Sequence, residues 1–380
     1  MHNAPRLVVA AGLVTATVAA SGAEIAPIAQ AEATLRTECL LTAADPKNPW
    51  ALAHGIVALG PAFAAADGRR AQDVIVRDFV HRVDAQRTDG GVDRTVFTFD
   101  RYAPDHTPIE PHANLLIKSL VLAGLKDTQA WETPSGKVTL GDLVKGVELG
   151  FTHVPQNELY WEDVGWTLDL LAERHTPARS RFVNTRGETV DLIDVMNDAL
   201  AYLELAQKDL AEGMDQHRPE VPKRKQGIYA HACGGLHLIQ AINHWARFPQ
   251  VRKAWGKRWE RQIDVLFYRL GSEQRQYDAA WAQAQKMPQF KLPIAVQRVK
   301  FYGHFLETVG RLKKENGYRF DAKQKAAIDH ARALLAQAVV DLEALDAYAK
   351  LPALKTSQPQ LYLDLIGDSC HAAHGLALVR

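Results

Sequence analysis

Six strongly apolar segments recur along the chain, each long enough for a helix and each separated from the next by an amphipathic one. This alternation restricts the available folds more than any other feature. The apolar segments are PWALAHGIVALG, EPHANLLIKSLVLAGL, YWEDVGWTLDLLAER, YAHACGGLHLIQAINHW, FYGHFLETVGRL and GDSCHAAHGLALV. Between them lie RRAQDVIVRDFVHRV, TLGDLVKGVELGF, TVDLIDVMNDALAYLELAQKDL, KRWERQIDVLFYRLGSEQRQY and DAKQKAAIDHARALLAQAVVDLEAL, each with one charged face. A sixth amphipathic helix is predicted near residues 31–43. A helix that is apolar all round must be covered on all sides, whereas an amphipathic one can face water. The apolar set therefore belongs inside the amphipathic set.

Aligned on His54, His112, Asp163, His231, His304 and His371, the apolar segments follow one another at intervals of 51 to 73 residues, with room for one helix between each pair. No Gly/Ser-rich or Pro-rich linker interrupts them, so a single all-α domain over residues 24–380 is expected. Six inner helices alternating with six outer ones resemble the six-hairpin (α/α)6 toroid superfamily. Its members include glycoside hydrolases, polysaccharide lyases, sugar epimerases, lanthionine cyclases and terpene-cyclase-type subunits. The resemblance spans the chain after its leader and is architectural, and an α-solenoid of stacked helix pairs is the alternative.

The amino terminus has the form of a secretory signal. A short polar start, the apolar run Leu7–Ala20 and small residues before Glu24 predict a signal peptide over residues 1–23, with a second cleavage position as late as Ala31. A periplasmic or secreted protein without a membrane span in its mature chain is the expectation. With 45 basic and 44 acidic residues, the chain lacks the positive excess that a nucleic-acid partner requires. The basic run PKRKQ at 222–226 reads as a solvated loop. Cys39, Cys233 and Cys370 leave room for one disulfide and one free thiol, or for thiolate ligands. TVFTFDRY, after the turn-forming DGG, reads as a strand within the long non-helical stretch 85–111.

Polar residues near the amino ends of the apolar segments would gather at one mouth of a ring of parallel helices. His112, Asp163, His231, His304, Asp368, His371 and His374 are the candidate acid–base residues there. Asp368, His371 and His374 share a helix face by their spacing of three, as do His304 and Glu307. Glu110, Trp161, Trp166, Tyr229 and Tyr302 are candidates for substrate contact, the aromatics by stacking on sugar rings. His231, Cys233, His304, Cys370 and His371 offer donor atoms that suit zinc. His231 and Cys233, two apart, would face opposite ways in a regular helix.

The expected function is that of an external hydrolase or lyase acting on a polymer, a glycan in the first instance, with an optional zinc ion. ACGGL and SCHAAHG are similar to zinc-binding elements of lanthionine cyclases, which implies a zinc-dependent alternative with Cys233, Cys370 and His371 as ligands. An additional hairpin separates the two elements here, and that family's Trp-Cys pair and uninterrupted Cys-His-Gly run are absent. A non-catalytic module that binds a peptide or protein is the remaining alternative. No Walker loop, GxGxxG, HExxH or GxSxG occurs.

Overall fold

The structure is a computed structural model that describes residues 20–86, 92–104 and 106–380. The predicted leader lies outside the described residues except for its last positions, and so does the DGG turn. The chain runs through α1 (Ala20–Thr42), α2 (Pro49–Leu59) and α3 (Ala71–Phe79) into the hairpin β1 (Val80–Gln86) and β2 (Val92–Phe99). Then come α4 (Leu115–Leu122), β3 (Ala130–Thr133), β4 (Gly136–Thr139), α5 (Leu140–Gly150), α6 (Glu158–Arg174), β5 (Arg181–Val183) and β6 (Thr189–Asp191). The rest is helical: α7 (Leu192–Ala206), α8 (Lys208–Asp215), α9 (Leu236–Trp245), α10 (Pro249–Trp255), α11 (Lys257–Ala284), α12 (Lys291–Asn316), α13 (Ala322–Ala344), α14 (Leu351–Ser357) and α15 (Pro359–Leu378). Among the described residues the strands form three two-stranded antiparallel ribbons, so the protein is all-α with short β-hairpins. No helix among the described residues is long and apolar enough to cross a membrane.

The apolar segments supply α2, α4, α6, α9, α12 and α15. Each packs on the next, and α15 packs back on α2. α1 covers the junction of last and first helices, lying on α15, α13 and α2. One continuous hydrophobic core joins the set.

Helix boundaries depart from the sequence reading in ways that move the site. VHRV leaves the predicted third helix because it pairs with β2, Val80 opposite Phe99. TVFTF is a strand, as expected. YAHACGG is not α-helical: it makes two 3₁₀ turns, and α9 begins only at Leu236. Asn114 adopts a left-handed conformation, which delays α4 to Leu115. Conversely, α12 and α15 begin well before the apolar runs, so His304 and His371 lie midway along their helices rather than at an amino end.

Candidate functional site

Small residues bring the polar side chains of the apolar helices together. A Cβ on Gly303 would stand 2.8 Å from the Ala372 Cα, and one on Gly375 would stand 2.7 Å from the Gly303 carbonyl oxygen. The α12 and α15 backbones thus approach closely, and His304 and Glu307 meet His371 and His374 across the seam. On the other side, a Cβ on Gly165 would lie 3.0 Å from the Leu238 nitrogen, so α6 abuts the start of α9 and sets Trp166 beside His237, ring centroids 4.5 Å apart.

The result is a centre of buried His237, His304 and His371 with two buried carboxylates and the half-buried Cys233 at its edge. His304 is fully buried, yet neither of its ring nitrogens makes a hydrogen bond. Glu307 Oε2 lies 3.5 Å from its Nδ1, and Asp368 Oδ1 lies 3.4 Å from its Nε2. Donor atoms of Cys233, His237 and His304 fall within 4.8 Å of one another, as do those of His304, Glu307 and His371. His371 contacts Glu307 through Nδ1 at 2.9 Å, and His374 does the same at 2.8 Å. His237 Nδ1 is held by Gln240 Oε1 at 3.2 Å. His237 and His371 are therefore tethered at Nδ1 and keep Nε2 for another partner.

Electrostatics divide the centre. Burial pulls His237 well below and His371 below the usual histidine value, so both favour the neutral form in which imidazole donates a lone pair. Burial likewise takes His54 down to about 3. Burial would lower His304 too, but Cys233, Asp368 and Glu307 outweigh it and raise the group well above the ordinary value. For Asp368, burial is overcome by Lys300 and His304, which keep the carboxylate ionised. Lys300 Nζ lies 3.8 Å from Asp368 Oδ2 and 3.0 Å from Asp364 Oδ1.

Two cavities meet at this centre. One, of about 290 Å³, opens at the amino ends of the apolar helices past Tyr102 and Gln360, and Cys233, Lys300 and Asp368 line its floor. The other, of about 250 Å³, opens towards their carboxyl ends past Pro61 and Lys314, with Glu307, Arg311 and His374 in its wall. His54, Leu115, Trp166, His237 and His371 line both. Behind the second cavity, buried Asp169 accepts from Arg311 at 2.7 Å, contacts His244 Nδ1 at 2.7 Å and pairs with Lys118 at 2.9 Å. This network ties α4, α6, α9 and α12 together.

The donor set suits a transition metal. Cys233 is the free thiol, two neutral imidazoles are oriented from behind by amide or carboxylate, and His304 would have to release the proton that its acidic neighbours favour in order to take an ion. Thiolate plus imidazole is a zinc-type combination, and hydrogen bonds to the far nitrogen of a ligand histidine are the usual support for one.

Several predicted residues lie elsewhere. Cys370 is in a disulfide with Cys39, so it offers no thiolate. His231 faces away, its Nε2 3.1 Å from the Tyr202 hydroxyl. Trp161 stacks on Tyr202 and donates to the Pro155 carbonyl at 2.9 Å. Tyr302 is wholly buried in the core. Glu110 is buried, pushed up to about 8 by desolvation, and accepts the Leu116 N–H at 3.0 Å, so it caps α4 instead of lining a mouth. Tyr229 lies under the Arg269 guanidinium, 5.2 Å from its ring centroid. His112 lines the amino-end cavity, its ring stacked on Trp166 at 4.0 Å, whereas Asp163, 3.5 Å from it and paired with Arg101, lines a separate cavity beside β2 and α5. Asp368, His371, His374, His304, Cys233 and Trp166 belong to the centre. Glu307 joins them, as its spacing of three from His304 allows, and so do His237 and Lys300, which are not among the sequence candidates. Gly234-Gly235 was the available signal for His237: glycines there mark a helix start and shift the inward register from His231 to His237.

No protein-family profile matches the chain, and no curated protein or solved structure is detectably similar to it.

Proposed function

We propose that the cyclic packing of the six apolar helices makes an (α/α)6 toroid, and that the protein is a zinc-dependent enzyme of hydrolase or lyase type working on the toroid axis. The observation that carries this reading is the set of half-buried Cys233 with buried His237, His304 and His371, placed where two cavities meet. Those residues would hold the ion, which would supply Lewis-acid polarisation of a substrate oxygen. Asp368 Oδ2 is buried and without a hydrogen bond, and it is the proton acceptor for a water or substrate carbon acid entering the amino-end cavity. Lys300 sits beside it to stabilise developing negative charge. Tyr102, exposed at the opening, offers a stacking face for a sugar ring, which favours the end of an external glycan as substrate. The Cys39–Cys370 disulfide supports a periplasmic or secreted location.

The test combines elemental analysis of protein purified without an affinity tag with a polysaccharide screen. About one zinc per chain is expected, lost in His304→Ala, with turnover abolished in both His304→Ala and Asp368→Asn. A chain that takes up no zinc even on titration would overturn the metal reading. Turnover unaffected by Asp368→Asn would remove the proposed base.

A further inference from the structure

The Cys233 thiol reaches the centre from a backbone that would not adopt this shape unaided. Cys233, Gly234 and Gly235 are three successive residues with positive φ, at 48°, 58° and 69°. The left-handed region is unfavourable for a residue with a side chain, so contacts outside the turn must hold Cys233 there. Those contacts come from one face of α11. Arg269, Ser272, Glu273 and Gln276 form an i, i+3, i+4, i+7 stripe, and each binds the segment 221–234 or supports a residue that does.

Ser272 Oγ accepts the Val221 N–H at 2.8 Å, and the Gln276 amide bonds Lys223 N–H and the Val221 carbonyl at 2.8 and 2.9 Å. Arg269 donates from Nη1 to the Gly234 carbonyl at 2.6 Å and from Nε to Glu273 Oε1 at 2.5 Å. Glu273 is completely buried, and its other oxygen receives Lys223 Nζ at 2.5 Å and the Tyr277 hydroxyl at 3.1 Å. Lys223 therefore leaves the solvated basic run predicted for it and anchors the loop. The fit around Gly234 is tight: a Cβ there would lie 2.3 Å from Arg269 Nη2. Gly234 thus meets two requirements at once, positive φ and the approach of a guanidinium, and Gly235 meets positive φ and the close packing of Ile228.

We propose that Arg269, itself fixed by Glu273, is the positioning residue that holds the Cys233 thiol against His237 and His304. The inference rests on the metal reading for its consequence, since the clamp would set the affinity of the centre, but the clamp itself is a statement about Cys233. Two readouts follow. Cobalt(II) titration of the metal-free protein reports affinity and, through the thiolate-to-cobalt charge-transfer band, whether Cys233 is a ligand. The rate at which an aromatic disulfide reagent modifies Cys233 reports its placement without any metal.

The variant to use is Arg269→Met with Glu273→Gln, which removes the buried guanidinium and carboxylate together while the glutamine oxygen still accepts from Lys223 and Tyr277. It is expected to keep cooperative unfolding, to bind cobalt about 10- to 100-fold more weakly, as loss of outer support does elsewhere, and to alter the thiol reaction rate at least tenfold. If that double variant does not fold, Arg269→Lys, which keeps the charge and loses the two-pronged grip, is read in the same way. Cobalt affinity and thiol rate both matching the unmodified protein would overturn the proposal. If the unmodified protein takes no cobalt, the metal reading fails, and the thiol rate alone decides on the clamp.

Discussion

His244 shows how individual buried charges make this core depend on pH. It is almost fully buried, contacting Asp169 through Nδ1 at 2.7 Å and Glu173 through Nε2 at 2.8 Å. Burial favours its neutral form, but the two carboxylates outweigh burial and raise it above the ordinary value of 6.5. A raised folded-state value means that the charged ring stabilises the fold fully below about 6.5, and that this contribution disappears as pH rises through the folded-state value. In urea unfolding, the stability difference between the unmodified protein and His244→Gln is therefore expected to be larger at pH 6 than at pH 9. An equal difference at both would show that the imidazolium is not the bound form. At this scale the sequence was legible in residue type but not in register. Histidines and carboxylates on apolar helices did mark the centre, with His304, His371, His374 and Asp368 all in it. The sequence points to His231 because the seven residues before α9 read as helical, whereas they make 3₁₀ turns and a shift of that size brings His237 inward instead.

The α12–α15 pair is the element on which the centre is built, and the Cys39–Cys370 bond fixes it to α1 one residue before His371. The cysteines lie 331 residues apart, so the bond restricts nearly the whole unfolded chain. By the chain-entropy relation a loop of this length contributes about 6 kcal/mol. Cys39→Ala with Cys370→Ala is expected to lose about that amount in denaturant unfolding, and adding reductant to the unmodified protein should give a similar loss. Full stability in the double variant would show that packing of α1 on α15 needs no covalent tie. The six apolar helices and their order were legible from period, whereas their lengths, the break between α7 and α8, and the short α10 and α14 were not. KLPIAVQRVK, the amino half of α12, carries enough charge to read as surface, yet Arg298 and Lys300 are paired with Asp341 and Asp364 and lie against the core. Tertiary pairing of charges is invisible to a hydrophobicity pattern.

At the scale of the molecule, the proposed toroid and the solenoid alternative differ in where the chain ends lie. A solenoid of six helix pairs puts its first and last helices at opposite ends of the stack, with each layer adding about 8–10 Å. Here α1 lies on α15, Cys39 is bonded to Cys370, and Arg380 pairs with Glu32. Periodicity could not reveal that closure, because it fixes the number of repeats and not whether the last meets the first, and spacing alone does not give a disulfide partner. In the proposed toroid the order of helices around the ring is independent of where the chain begins. A circular permutant tests this: Arg380 joined by a short linker to Ala31, with new ends at the exposed Arg186–Gly187 turn of the β5–β6 hairpin, a location of the kind that tolerates opening. The permutant is expected to fold as a monomer, to form the Cys39–Cys370 bond by peptide mapping, and to bind cobalt like the parent, since Cys233, His237, His304 and His371 keep their neighbours. A permutant that folds only by exchanging α1 between chains, with the disulfide intermolecular, would mean that the first and last helices do not meet within one molecule, and the centre would then have to be rebuilt as an assembly of two.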